Sequence, residues 1–182
     1  KEVSNKIDPN IPALVVFPED VATATALTGM KIVYDDQSTL NEIIPQVIKK
    51  NIFAVAPIKA HHKLFGNDIS WLRAFYIRKG RQMNKIYVDT FSEMARKYGT
   101  YIVAGSTVLD TKYIYNNESN RKGEVYNTSY VFDMDGKIIG KQSKVHPIDL
   151  ELSAGLDLTP APLTDIDVIK TPIGNIGIAI CY

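Results

Sequence analysis

Short apolar runs closed by turn residues alternate along this chain with longer stretches of helical spacing. In "IPALVVFPED", residues Ala13 to Phe17 form a β-rich run stopped by Pro18, which predicts a buried strand ending in a loop. Glu19 and Asp20 then follow the strand's C-terminal end, where open α/β sheets hold their ligands. "STLNEIIPQVIKKN" carries Leu40, Ile43, Ile44, Val47 and Ile48 at helical spacing, with Ser38 or Thr39 as cap and Pro45 working against the helix. "IFAVAPI" reads as a second short strand. From about Ile69 to Tyr98 the pattern is amphipathic, with Gly80 as a break; Ile86, Phe91, Met94 and Ala95 fall near one face, and Gly99 closes the helix. "TYIVAGSTVL" is the next strand, and helix, glycine, strand is half of a βαβ unit.

After the polar loop "NNESNRKGE" comes "VYNTSYVFDMDGKIIGKQSKVHP". Two alternating strands flank Asp135-Gly136, a pair suited to a tight turn because both residues can take positive φ. Lys144 and His146 lie at the exit of the second strand. "ELSAGLDLTPAPLTDID" is turn-rich and reads as a surface loop. "VIKTPIGNIGIAICY" predicts a second hairpin turning at Gly174-Asn175, with Ile176, Ile178 and Ile180 alternating along a buried strand that delivers Cys181. This order describes one mixed α/β layered domain over residues 1–182.

Composition narrows the classes. A formal charge of +1 gives no global pull toward nucleic acid, so none is expected as a partner. One cysteine excludes an internal disulfide framework and favours a reducing compartment, with the cytoplasm as the expected location. No run approaches the roughly 20 apolar residues of a spanning helix, and "KEVSNKIDPN" is too polar for a signal peptide. With no starting Met and "CY" at the other end, both termini read as edges of a longer polypeptide. A strand ending there would leave apolar surface uncovered, so the isolated chain is expected to be poorly soluble or to associate.

Glu19, Lys144 and Cys181 each follow or end a predicted strand. A thiol attacks as thiolate, a carboxylate can take its proton, and an ammonium can stabilise thiolate and oxyanion. Together they would supply nucleophile, base and electrostatic stabiliser for acyl transfer. Each also has a plainer reading: a buried thiol, a loop carboxylate, a solvated lysine with Lys141 as competitor. His146 reads as a structural partner. His61-His62 reads as a polar loop rather than a metal site, and nothing else has metal-ligand spacing; no metal or cofactor is expected.

"VVFPED", "GKIIGKQSKVHPIDLE" and "GNIGIAICY" resemble the three signature blocks of the carbon–nitrogen hydrolase (nitrilase) superfamily, in the family's order. "YIVAGSTV" and "VYNTSYVF" resemble its intervening strands. The resemblance implies a nitrilase-like α-β-β-α layered sandwich, incomplete at the C-terminal side. It implies Cys181 as nucleophile, Glu19 as base, Lys144 as oxyanion stabiliser and the Tyr182 backbone N–H as a second oxyanion donor. Glu151 is the nearest match to a further glutamate that many members carry after the lysine. The chain departs from the pattern in lacking a first strand, in "KQS" before Lys144, and in ending at the cysteine. A long Glu19–Lys144 gap implies an insertion within about residues 21–83.

The implied activity is hydrolysis of a non-peptide C–N bond, in a linear amide or N-carbamoyl compound, through a cysteine thioester. A homo-oligomer is the expected state of the complete protein. Two alternatives stay open: an N-acyltransferase of the same superfamily, and a non-catalytic binding protein on this scaffold. The segment 58–85 mixes Lys59, Lys63, Arg73, Arg78, Lys79, Arg81 and Lys85 with Phe65, Trp71, Phe75 and Tyr76. It could lie on an anionic membrane, but a helix with its aromatic face on the core, or a pocket lid, is the favoured reading.

Overall fold

The computed structural model describes residue 8 and residues 11–31, 39–115, 122–152 and 156–181. Ser38, most of the polar loop after residue 115, and Tyr182 lie outside the described residues. Strand β1 (Leu14–Val16) leads through a 3-10 turn (Thr23–Leu27) to two long helices, α1 (Leu40–Leu64) and α2 (Trp71–Tyr98). Strands β2 (Tyr101–Val103) and β3 (Thr107–Asp110), the short α3 (Thr111–Tyr115), and the hairpin β4 (Val125–Phe132) and β5 (Ile138–Ser143) follow. Two further 3-10 turns (Asp149–Glu151, Leu163–Asp165) precede a hairpin of β6 (Val168–Thr171) and β7 (Gly174–Gly177).

Helix α1 starts at Thr39, whose N–H donates to the Glu42 carboxylate at 2.9 Å. It runs unbroken through "IFAVAPI", which is therefore helix and not strand, and His61-His62 lie on it rather than in a loop. Tertiary packing decides this. Val47 and Val55, eight residues apart on one helix face, are buried in a cluster with Leu72, Phe75 and Met83 of α2. Pro45 and Pro57 are exposed, so water can serve the carbonyls they leave unpaired.

Helix α2 is capped by Ser70, which accepts the Arg73 N–H at 3.0 Å, and it ends at Gly99 with φ +57. Its buried face runs Leu72, Phe75, Met83, Tyr87, Phe91 and Ala95. Ile86 and Met94 are only half-buried, flanking the face that Tyr87 holds instead. Gly80 does not break the helix: a Cβ there would sit 3.2 Å from the Tyr113 ring, so the glycine serves close approach.

β1 and β2 are parallel, and β4 runs antiparallel between β5 on one flank and β2 with β3 on the other. The expected single strand at 101–110 keeps this path but is interrupted at Gly105, φ +67. In the β4–β5 hairpin only Gly136 has positive φ (+76); Asp133 and Lys137 pair across a three-residue loop, so Asp135 need not leave ordinary φ. Along the sheet, Ile102, Tyr130 and Phe132 pack under α2 residues Tyr87, Phe91 and Ala95. Val103 and Val131 pack against Ile169 of β6 on the other side. The described residues thus form helical layer, five-stranded sheet and two-stranded sheet in order, a layered α/β architecture.

Two expectations near the end of the chain need correction. The β6–β7 turn is Pro172-Ile173, not Gly174-Asn175, because Thr171 pairs with Gly174 and proline has no N–H for the ladder. β7 stops at Gly177, opposite the first residue of β6, so Ile178 onward has no strand partner among the described residues and Cys181 is exposed. The loop at 151–167 is also less superficial than its composition implies: Glu151, Leu158 and Ala161 are buried, and Thr159 N–H and Ala161 N–H donate to Val125 and Lys144 carbonyls at 2.7 and 2.9 Å.

Candidate active site

The loop after β1 is held by backbone contacts before any side chain acts. Phe17 N–H extends the pairing with β2 by donating to the Val103 carbonyl at 2.9 Å, and Asp20 N–H donates to Ser106 Oγ at 2.9 Å. Between these anchors, Pro18 passes so close to Gly105 that a Cβ there would lie 2.2 Å from the Pro18 oxygen. Glu19 is thereby carried to the sheet, and Asp20 takes a left-handed φ of +58.

Lys144 arrives from the other side. Its N–H donates to the Asn127 carbonyl of β4 at 2.8 Å and its carbonyl accepts from Ala161, which fixes the residue just past β5. Its ammonium reaches Glu19 Oε1 at 2.8 Å and Glu151 Oε2 at 2.5 Å. The side chains of Lys144 and Glu151 are 2% and 6% exposed, that of Glu19 28%. Glu151 also accepts the Ile148 N–H at 2.9 Å. Residues far apart in sequence thus converge in one ion-pair cluster.

Burial opposes the ammonium's charge, but the hydrogen bonds and charges of Glu151 and Glu19 outweigh it and hold the Lys144 pKa above the ordinary lysine value. Asp20 is pushed up chiefly by burial; the Thr23 hydroxyl opposes this, and the Glu19 and Glu151 charges add to it. One oxygen each of Glu19, Asp20 and Glu151 lie within 4.8 Å of one another. Lys144 bridges Glu19 and Glu151 directly, so the carboxylates act as a cradle for an ammonium.

Lys141, the competing lysine, turns elsewhere. Its ammonium donates to the Ile114 carbonyl, and burial lowers its pKa, with Asp165 opposing. It lines a cavity of about 580 Å³ between β5 and the 164–170 segment, which contains none of Glu19, Lys144 and Glu151. His146 is exposed. Cys181 also stands apart: it is exposed at φ +58, and no hydrogen bond joins it to Glu19, Lys144 or Glu151 among the described residues.

Sequence reasoning missed Asn127. Its Nδ2 donates to Glu19 Oε1 at 2.8 Å and to Glu151 Oε1 at 3.4 Å, tying the two carboxylates together from the middle of β4. The available signal was polar residues inside a strand buried at every position: Asn127, Thr128 and Ser129. What the cluster can do chemically is hold a carboxylate and an ammonium adjacent and fixed, the pairing an acyl-transfer site needs beside its nucleophile.

The carbon-nitrogen hydrolase family model matches residues 14–182. The omega-amidase NIT3 of Saccharomyces cerevisiae is 33% identical over 100 residues, 52% of this chain and 31% of that protein. The omega-amidase NIT2 of Xenopus tropicalis is 30% identical over 98 residues, 52% of this chain and 32% of that protein. Among solved structures, Saccharomyces cerevisiae Nit3, described as a member of branch 10 of the nitrilase superfamily, superposes with a TM-score of 0.51 at 21% identity. All of this chain and 46% of that one are covered. The chain therefore spans less than half of that structure, and the aligned stretches are about a third of the two relatives.

Proposed function

Because the chain belongs to the carbon–nitrogen hydrolase family, we propose that the protein hydrolyses a small linear amide through a thioester on Cys181. The observation that carries this reading is the Lys144 ammonium held 2.8 Å from Glu19 and 2.5 Å from Glu151. The similarity to omega-amidases supports an amide over a nitrile as substrate.

Glu19 takes the thiol proton, and the Cys181 thiolate attacks the amide carbon. The tetrahedral oxyanion forms against Lys144, with the Tyr182 N–H, which lies outside the described residues, as second donor. Collapse breaks the C–N bond, and Glu19 returns the proton to the departing amine. Glu19 then deprotonates a water that attacks the thioester, releasing the carboxylic acid and restoring the thiol. Glu151 and Asn127 keep Lys144 and Glu19 in register; Lys144 stays charged because two carboxylates face it. Acylation brings the Cys181 thiol to the Glu19 carboxylate and the Lys144 ammonium.

The test is ammonia release from short ω-amides by the full-length protein and by Cys181→Ala. The account expects turnover in the first and none above background in the second. Cys181→Ala retaining activity within about tenfold would overturn the covalent route.

A further inference from the structure

Helix α1 has two apolar faces. The inner one, with Val47 and Val55, packs on α2. The outer one runs Phe53, Pro57, Ala60 and Leu64, spaced i, i+4, i+7 and i+11, in a single stripe about 16 Å long. Phe53 is 94% exposed, Leu64 81% and the adjoining Phe65 66%, while Phe75 and Tyr76 of α2 are core residues. Exposed lysines Lys49, Lys50 and Lys63, with His61, border the stripe on both sides. The sequence has no acidic residue between Glu42 and Asp68. Beside Ala54, the stripe opens into a cleft of about 430 Å³ between α1 and α2, lined by Arg78, Lys79, Arg81 and Lys85 and by no acid. Lys85 is paired with Asp89 and Lys79 with Gln82, whereas Arg78 and Arg81 have no ion-pair partner among the described residues.

We propose that this face is a docking surface for an anionic phospholipid membrane. An apolar ridge without hydrogen-bonding side chains, flanked by lysines, suits the interfacial plane of a bilayer, and the arginine-lined cleft suits a phosphate headgroup. A second copy fits poorly, since two-fold packing of α1 on itself sets lysines against lysines. A nucleic acid could stack on Phe53 but would leave the aliphatic Pro57, Ala60 and Leu64 of the ridge without apolar partners. Among the described residues no helix is long and apolar enough to cross a membrane.

The test is co-sedimentation of the full-length protein with vesicles of phosphatidylcholine alone or with about one third phosphatidylglycerol. The protein binds the anionic vesicles and not the neutral ones, and raising the salt from about 0.05 to about 0.5 M releases it. Phe53→Asp/Leu64→Asp lowers the vesicle-bound fraction at least about tenfold with the melting temperature unchanged, and Lys49→Glu/Lys50→Glu/Lys63→Glu does the same without touching an apolar group. Absence of binding to anionic vesicles, or wild-type binding by either variant, overturns the proposal. Equal binding to soluble polyglutamate overturns it in favour of an acidic protein partner. A smaller assembly on gel filtration for Phe53→Asp/Leu64→Asp, with vesicle binding intact, overturns it in favour of an interface between copies.

Discussion

Replacing Lys144 by methionine removes the ammonium while keeping most of the stem's volume, and it strips two carboxylates of their shared partner. The side chain of Glu151 is 6% exposed and cannot turn to water; that of Glu19, 28% exposed, can. Breaking a buried pair from one side costs about 3–5 kcal/mol. The Ile148 N–H at 2.9 Å and Asn127 at 3.4 Å still serve Glu151, which sets the expectation at the lower end, about 3 kcal/mol. With a urea slope of about 2 kcal/mol/M, the midpoint of the full-length protein falls by about 1.5 M. That deficit is the cost of a buried carboxylate left without its cation. Adding Glu151→Gln to the variant recovers most of it, and Lys141→Met, remote from both carboxylates, leaves the midpoint in place. A Lys144→Met midpoint within about 0.2 M of wild type at neutral pH would refute the buried ion-pair cluster.

Other outcomes follow from the same geometry. Lys144→Ala lowers kcat by about 10²–10³-fold as an oxyanion stabiliser is lost, whereas Lys141→Ala is nearly silent; steady-state kinetics separate them. Asn127→Ala removes one donor from each of Glu19 and Glu151, costs about 1–3 kcal/mol by chemical denaturation and reduces kcat. Gly105→Ala both strains a φ of +67 and drives a methyl into the Pro18 oxygen, so it loses more activity and more melting temperature than Gly99→Ala, where φ is +57 and nothing lies within 4 Å. Because the folded-state pKa of Lys144 is raised, its contribution is whole below the unfolded lysine value of about 10.4 and fades as pH climbs past it. A wild-type stability that shows no alkaline decline beyond that of Lys144→Met contradicts the assignment.

Local signals carried the strands that end at the site. Pro18 after a β-rich run located Glu19, and the block "GKIIGKQSKVHPIDLE" pointed to Lys144 rather than Lys141, the lysine that reaches the carboxylates. The segment "IFAVAPI" misled because its composition favours strands, while its burial is decided by α2, more than a dozen residues away. Gly80 and Gly105 look alike in sequence; one permits close approach of Tyr113 and the other breaks a strand against Pro18. Asn127 was hidden because its role is a contact with Glu19 across 108 positions of chain. The apolar text before Cys181 predicted a strand, but β6 supplies partners only as far as Gly177.

The central claim is that Cys181 forms the thioester beside Glu19 and Lys144. It is tested most directly by mixing the full-length protein with a short ω-amide, quenching in acid within the first turnovers, and measuring intact mass followed by peptide mapping. The account predicts a single added acyl group on the peptide that contains Cys181, and none in Cys181→Ala. Turnover with no acyl adduct at Cys181, in a protein that Cys181→Ala leaves active, would contradict it.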